Sequence, residues 1–185
     1  MEMEQKYRID SPKRIEAMLI EHGATFNHAE HHRDLYLNAP DRDFYATDEV
    51  LRLRTIDDKS TLTYKGPKQS REIKVRQEIE VDLVPARDVE ARMIDLLRAL
   101  KYRPIAEVRK ERHLWKLQLA GPEMTICIDH LEGEGDFLEI EIIAPDDQYD
   151  RVRMTIMRTE QLLELHQRED RSYLAMILER HGYIR

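Results

Sequence analysis

The sequence predicts an α+β fold in which helices cover a rolled antiparallel sheet, and two observations lead there. At least five segments alternate apolar and charged residues with the period of two that marks a strand. Between and after them lie stretches with apolar residues at helical spacing, and each such stripe needs an apolar surface to cover. If the strands turn their apolar faces outward to those helices, their charged faces line the inside of the roll. An open sheet with its charged face in water satisfies the same periodicity, so pattern alone leaves both arrangements standing.

The first strand starts the chain. Glu2, Glu4, Lys6 and Arg8 fall on one side of it and Met1, Met3, Tyr7 and Ile9 on the other. Two acids followed by two bases on one face could hold a metal and an anion side by side, or could simply be solvated. Ser11-Pro12 reads as an N-cap and first helical residue, with Ile15, Met18 and Leu19 as the apolar stripe and Gly23 as the stop. Residues 24 to 37 read as extended and carry His28, His31 and His32 near Glu30. Histidines on a polar connection without cysteine partners read as a solvated stretch before they read as a zinc site. Residues 38 to 48 read as a loop around Pro40.

Alternation returns at Val50, with Leu51 and Leu53 against Arg52 and Arg54, and Asp57-Asp58-Lys59-Ser60 makes a turn. The next strand sets Thr61, Thr63 and Lys65 against Leu62 and Tyr64. Lys65-Gly66-Pro67 is no phosphate-binding Walker loop, because it lacks the glycine-rich lead-in and the following Ser or Thr. From Glu72 to Leu83 the residues Glu72, Lys74, Arg76, Glu78, Glu80 and Asp82 share one face, opposite Ile73, Val75, Ile79, Val81 and Leu83. A helix follows through Val89, Met93, Leu96, Leu97 and Leu100. Val108 to Leu117 places Lys110 and Arg112 on one parity and Trp115 on the other, as a core residue. Met124 to Leu131 and Phe137 to Ile143 are strands joined through Gly133-Glu134-Gly135-Asp136. Thr125, Cys127 and Asp129 share a side of the first, and Phe137, Glu139 and Glu141 a side of the second, with Cys127 read as a small strand residue. Past Pro145 the pattern is helical, through Val152, Ile156 and Leu163 and then Tyr173, Leu174, Ile177 and Leu178.

A length of 185 residues is read as one domain spanning 1–185. Charged residues are 36% of the chain, the formal net charge is −7 and the pI about 5.7, which argues against a nucleic-acid coat or a partner for anionic membranes. Cys127 is the only cysteine, so no intramolecular disulfide forms. With no membrane-length apolar run or signal peptide, a cytoplasmic setting is expected, and the oligomeric state, a homodimer included, stays open.

In the rolled arrangement the inward bases are Lys6, Arg8, Arg52, Arg54, Lys65, Lys74, Arg76, Lys110 and Arg112. The inward acids are Glu2, Glu4, Glu78, Glu80, Asp129, Glu139 and Glu141. An unpaired ion moved into a dry interior costs several kcal/mol, comparable with the stability of a domain. Only a wet, mutually compensated lining is tolerable. A polyanion with Mg²⁺ or Mn²⁺ suits it: guanidinium and ammonium groups grip phosphate oxygens, and carboxylates supply oxygen ligands to the ion.

These residues resemble a known family. Glu2-Met3-Glu4-Gln5-Lys6 is similar to the N-terminal Glu-x-Glu-x-Lys signature of the CYTH family, the triphosphate tunnel metalloenzymes. Further matches follow in order: Arg52 and Arg54; Lys65-Gly66-Pro67; Arg76 with Glu78 and Glu80; Lys110 and Arg112; and Asp129 followed by Phe137-Leu138-Glu139-Ile140-Glu141. The stretch from Ile128 to Phe137, with Arg171-Ser172-Tyr173, looks most like the class IV adenylate cyclase branch.

The resemblance implies a closed eight-stranded antiparallel β-barrel, a tunnel with helices outside, and a single CYTH domain over 1–185. It implies Lys6, Arg8, Arg52, Arg54, Lys65, Lys74, Arg76, Lys110 and Arg112 as triphosphate ligands. It implies Glu2, Glu4, Glu78, Glu80, Asp129, Glu139 and Glu141 as ligands of Mg²⁺ or Mn²⁺, and Lys6, Glu2 and Glu4 as catalytic residues. The expected activity is conversion of ATP to cyclic AMP and pyrophosphate. Hydrolysis of inorganic triphosphate or thiamine triphosphate is the alternative, followed by polyphosphate or nucleotide binding without turnover. The stretch Ser60-Thr61-Leu62-Thr63-Tyr64 lacks the basic residue that cyclases of this branch often carry.

Overall fold

The computed structural model describes residues 2–67 and 77–183, the side chain of Glu2 excepted. Lys74 and Arg76 lie outside the described residues. The element order is β1 (Glu2–Ile9), α1 (Pro12–Glu21), β2 (Thr25–Asn38), β3 (Val50–Ile56), β4 (Lys59–Lys65), β5 (Glu78–Asp82), α2 (Val89–Ala99), β6 (Arg103–Leu117), β7 (Met124–Leu131), β8 (Gly135–Ile143), α3 (Tyr149–Leu162), β9 (Gln167–Arg168) and α4 (Tyr173–Arg180). The strands and helices expected from periodicity are found in these residues, except that positions 72–76 of the expected strand Glu72–Leu83 lie outside them. The unexpected element is β9.

The strands form one sheet in the order β5-β4-β3-β2-β6-β7-β8-β1-β9. This corrects the expectation of a closed eight-stranded barrel: among the described residues the ladder has nine strands and no pairing that joins its ends. The ninth is β9, which pairs with β1 at Tyr7 and Arg8 and so occupies the edge of β1 there. At the other end, residues 77–83 of the long alternating segment are described, and five of them, Glu78–Asp82, form β5.

The chain divides into two compact units, Met1–Glu30 with Lys110–Ser172, and His31–Arg109 with Tyr173–Arg185. In the first, β1, β7, β8 and the C-terminal half of β6 put Tyr7, Ile9, Trp115, Leu117, Ile126, Ile128, Leu138, Ile140 and Ile142 into one core. Helix α1 adds Ile15 and Leu19 to it, and α3 adds Val152 and Ile156. The amphipathic helices thus cover the strands' apolar faces, as their stripes require. Helix α1 starts where the sequence says it should: Ser11 is extended, its Oγ accepts from Arg14 N at 3.4 Å, and Pro12 opens the first turn. Gly23, at φ +80°, provides the left-handed residue that ends it. Leu19 is fully buried, so truncation to Ala costs about 2–5 kcal/mol.

In the second unit Leu37, Ala39, Phe44, Leu51 and Leu97 are buried together, with Leu35, Leu62, Tyr64, Met93 and Tyr102 against them. This joins the apolar faces of β2, β3 and β4 to α2. The loop before β3 is tied down by Glu49, which is 8% exposed. Its carboxylate accepts from Arg42 Nε and Nη2 at 2.8 and 2.9 Å, and from the Thr47 and Tyr64 hydroxyls at 2.5 Å each.

Candidate anion and metal site

The opposite faces of the same strands carry the charges, and register decides which of them meet. In the first unit Lys6 stands opposite Glu139 and Glu4 opposite Glu141 across β1 and β8. Across β7 and β8, Cys127 faces Glu139 and Thr125 faces Glu141, and across β6 and β7, Arg112 faces Asp129. These side chains form one wall. Lys6, Lys110, Asp129 and Glu139 are all buried, at 8, 6, 0 and 5% exposure, so this charged face does not look out on bulk solvent.

Arg112 is the centre of the wall. Its Nε and Nη2 donate to Asp129 Oδ1 and Oδ2 at 2.7 Å each, Nη2 also reaches Glu139 Oε2, and Nη1 donates to Glu141 Oε1 at 3.2 Å. A planar guanidinium with five donors can serve three carboxylates at once, which an ammonium cannot. Lys110 Nζ adds a bond to Asp129 Oδ2 at 2.7 Å. Burial alone would push the Asp129 carboxyl up; the bonds from Arg112 and the positive charges of Lys110 and Arg112 outweigh it and hold Asp129 well below the usual carboxylate range. Glu139, likewise opposed by burial, is held low by Arg112 and Lys110. Burial pulls the Lys110 ammonium down from its ordinary value.

Lys6 is set between Glu139 Oε1 at 3.4 Å and the Arg171 carbonyl, to which its Nζ donates at 3.2 Å. Arg8 donates to the Glu134 carbonyl at 2.7 Å and stacks over the Phe137 ring at 4.6 Å. Cys127 is buried in the wall, and burial pushes its thiol far up, so it fills space and is not a nucleophile.

Glu4 differs from its neighbours. The residue reaches solvent, yet burial of its carboxyl, with the charges of Glu139 and Glu141, pushes it up to about 7. Water within reach screens that crowding, so the shift is worth less to stability than in a sealed interior. Carboxylate oxygens are the ligand type a hard divalent cation takes, and a cation beside Glu4 would relieve its repulsion with Glu139 and Glu141. Among the described residues no three His, Cys, Asp or Glu side chains are already gathered for a metal.

The second unit builds its own charged wall from β2, β3, β4 and β5. Asp34 opposes Arg54, Arg52 opposes Thr63, Thr63 opposes Glu80 and Lys65 opposes Glu78. Asp34 is 2% exposed, and Arg54 grips both its oxygens at 2.7 and 2.6 Å, while Arg52 Nη1 lies 4.0 Å away. Arg52 Nε is buried and has no hydrogen-bond partner among the described residues. Lys65 donates to both Glu78 oxygens at 2.9 Å, and Thr63 and Thr61 donate to Glu80 and Asp82 at 3.1 and 2.7 Å.

The expected metal ligands therefore occur in distinct settings. Glu4, Glu139 and Glu141 share the first wall with Asp129, whose two oxygens are engaged by Lys110 and Arg112. Glu78 and Glu80 belong to the second, paired with Lys65 and Thr63. In the histidine stretch His28 bonds Glu30 at 2.7 Å and His31 lies 3.9 Å from Asp57. Sequence reasoning missed Asp34, the anchor of Arg54. The signal was present in the parity of His32, Asp34 and Tyr36 against Leu35 and Leu37 on β2.

The chain is similar to several known proteins. A Methanocaldococcus jannaschii protein named putative adenylate cyclase is 34% identical over 158 residues, covering 85% of this chain and 86% of that protein. A solved Pyrococcus horikoshii structure superposes with a TM-score of 0.77 at 32% identity, over 97% of this chain and 99% of that one. A Vibrio parahaemolyticus structure, described as a putative adenylate cyclase, shares the fold with a TM-score of 0.74 at 22% identity, over 96% and 97% of the two chains. The CYTH domain itself matches residues 1–173, and the chain is a member of the CYTH family.

Proposed function

We propose that this chain is a divalent-metal-dependent enzyme acting on a triphosphate, and that its reaction is the class IV adenylate cyclase reaction, ATP to cyclic AMP and pyrophosphate. The observation that carries the reading is the buried wall around Arg112, where acids and bases compensate one another within a few ångström. Burying so many charges is costly and does nothing for the core that a set of apolar residues would not do better. A polyanion and its counter-ion give that expense a use. The 34% identical relative supports the choice of cyclase.

In this reading Lys6, Arg8, Arg52, Arg54 and Lys65, with Lys74 and Arg76, grip phosphate oxygens. Lys110 and Arg112, whose donors are committed to Asp129, Glu139 and Glu141, hold those carboxylates and lend positive charge to the field the phosphates meet. Glu2, Glu4, Glu139 and Glu141 would hold Mg²⁺ or Mn²⁺, with Asp129, Glu78 and Glu80 as the remaining candidates. When bound, the ion supplies charge neutralisation at the phosphate oxygens. Lys6, fixed against Glu139, stabilises charge developing on the leaving group. The ribose 3′-hydroxyl attacks the α-phosphorus and pyrophosphate departs. One domain over the whole chain, supported by the family match over 1–173, and a cytoplasmic location complete the proposal; no helix among the described residues is long and apolar enough to cross a membrane.

Triphosphate hydrolysis is the second reading. It is favoured by β4, where Thr61 and Thr63 hold Asp82 and Glu80 and the stretch from Ser60 to Tyr64 leading to Lys65 carries no basic residue. Incubation with Mg²⁺ or Mn²⁺ and ATP, inorganic triphosphate or thiamine triphosphate, followed by product identification, separates the two. Cyclic AMP with pyrophosphate is expected; orthophosphate without a cyclic product refutes the cyclase. Glu4→Gln should abolish turnover while leaving the fold intact, and an unchanged rate and metal dependence would remove Glu4 from the site.

A further inference from the structure

The segment after α3 attaches to β1 in a way that the pairing of charges in the two walls does not account for. Its two-residue strand β9 adds to the edge of β1, with Arg168 opposite Tyr7 and Gln167 opposite Arg8. The next residue continues the attachment: Glu169 N donates to the Lys6 carbonyl at 2.9 Å. The chain then turns, and the Arg171 carbonyl accepts from Lys6 Nζ at 3.2 Å. One turn therefore holds Lys6 by its main chain and by its ammonium.

That turn is locked from within. The Glu169 carboxylate accepts from Arg171 N at 3.0 Å, Arg171 Nε at 2.8 Å and Arg171 Nη2 at 2.5 Å. Both ends of the Arg171 residue are thereby tied to one acid, which fixes where its carbonyl points. The Glu169 side chain is only 11% exposed although Arg171 is 46% exposed, so the lock lies on the inner side of the turn. The neighbouring Arg171 also holds the Glu169 carboxyl down, to about 2, so it is ionised across the neutral range. A lysine carries more rotamer freedom than almost any side chain, and an unrestrained ammonium would sample positions away from Glu139.

We propose that Glu169 is a positioning residue for Lys6: through its bonds to Arg171 it sets the Arg171 carbonyl that, opposite Glu139, aims the Lys6 ammonium at the reacting phosphate. This rests on the reading of Lys6 as a group that touches the triphosphate. Positioning of a group that acts in the transition state changes kcat, whereas a binding role changes KM.

The test is steady-state kinetics of the full chain with Mn²⁺ and whichever of ATP or inorganic triphosphate it turns over. Glu169→Ala should lower kcat about tenfold, the scale of one misplaced charge-assisted hydrogen bond, with KM within about twofold. Glu169→Gln retains an oxygen acceptor for Arg171 N and should recover most of the loss. In a Lys6→Ala background Glu169→Ala should have no further effect, since the two changes remove the same interaction. If the Glu169→Ala protein does not fold, Arg171→Ala keeps the main-chain carbonyl and the main-chain bond to Glu169 but removes the two side-chain bonds, and should give a smaller kcat loss with the same non-additivity. A rise in KM with kcat unchanged, or losses that add to that of Lys6→Ala, overturns the proposal while the role of Lys6 stands. Full turnover by Lys6→Ala itself overturns the role of Lys6, and the proposal with it.

Discussion

Replacing Arg112 by Ala isolates what the guanidinium does for the first wall. It removes both bonds to Asp129, the contact with Glu139 and the 3.2 Å bond to Glu141. Asp129 is fully buried and Glu139 nearly so, and the cationic partners they keep include Lys110 and Lys6. Breaking a buried ionic network from one side costs about 3–5 kcal/mol, because the charges left behind stay desolvated. For a chain of this size that lowers Tm by about 6–20 °C. Arg112→Lys retains the charge but not the fork, and should cost about 1–3 kcal/mol. Urea denaturation at pH 7 and at pH 4.5 measures both effects. In the native protein Asp129 and Glu139 are held below their ordinary range, so their contribution is present above that range and is lost as pH falls through the lowered values. Without Arg112 the same carboxyls bind protons more tightly than in the unfolded chain, so the variant's deficit should shrink between pH 7 and pH 4.5. A loss under about 1 kcal/mol, or a deficit unchanged between the two pH values, would refute the reasoning.

Three further outcomes are expected. Arg52→Ala should weaken triphosphate binding about 10–100-fold by calorimetry, the worth of a charge-assisted contact. It should barely change stability, because Arg54 alone satisfies both oxygens of Asp34. Glu49→Gln should lower stability at pH 7 by about 1–3 kcal/mol, and the difference from the native protein should fade in acid. Bonds from Arg42, Thr47 and Tyr64 hold Glu49 down to about 2, so its contribution is complete above the ordinary carboxylate pKa and disappears as pH falls toward 2. Cys127 should resist thiol reagents until the protein is unfolded, since it is buried and burial pushes its thiol up; prompt labelling of the native protein would contradict that.

Much of the fold was legible because a strand's period of two survives any tertiary arrangement. The parity of Glu4 and Lys6, of Arg52 and Arg54, and of Glu139 and Glu141 could be read directly, and so could the Ser11-Pro12 helix start. Which charges meet could not, because that depends on register between strands far apart in sequence. Arg112 serving both Asp129 and Glu141 is a product of the β6, β7 and β8 alignments. Asp34 was overlooked for the same reason: a single acid on β2 acquires its meaning from Arg54 opposite it on β3. The strand β9 is two residues long and shows no periodicity at all; only its pairing with Tyr7 and Arg8 defines it. The open ladder was equally hidden, since alternation states which face is apolar and not where the sheet's edges lie.

Titration calorimetry of the full chain with inorganic triphosphate, in the presence and absence of Mg²⁺, reaches the heart of the account. Saturable binding that Mg²⁺ strengthens, and that Glu4→Gln makes insensitive to Mg²⁺, is the expected result. Failure to bind triphosphate under either condition, or binding indifferent to the metal in the native protein, would contradict it.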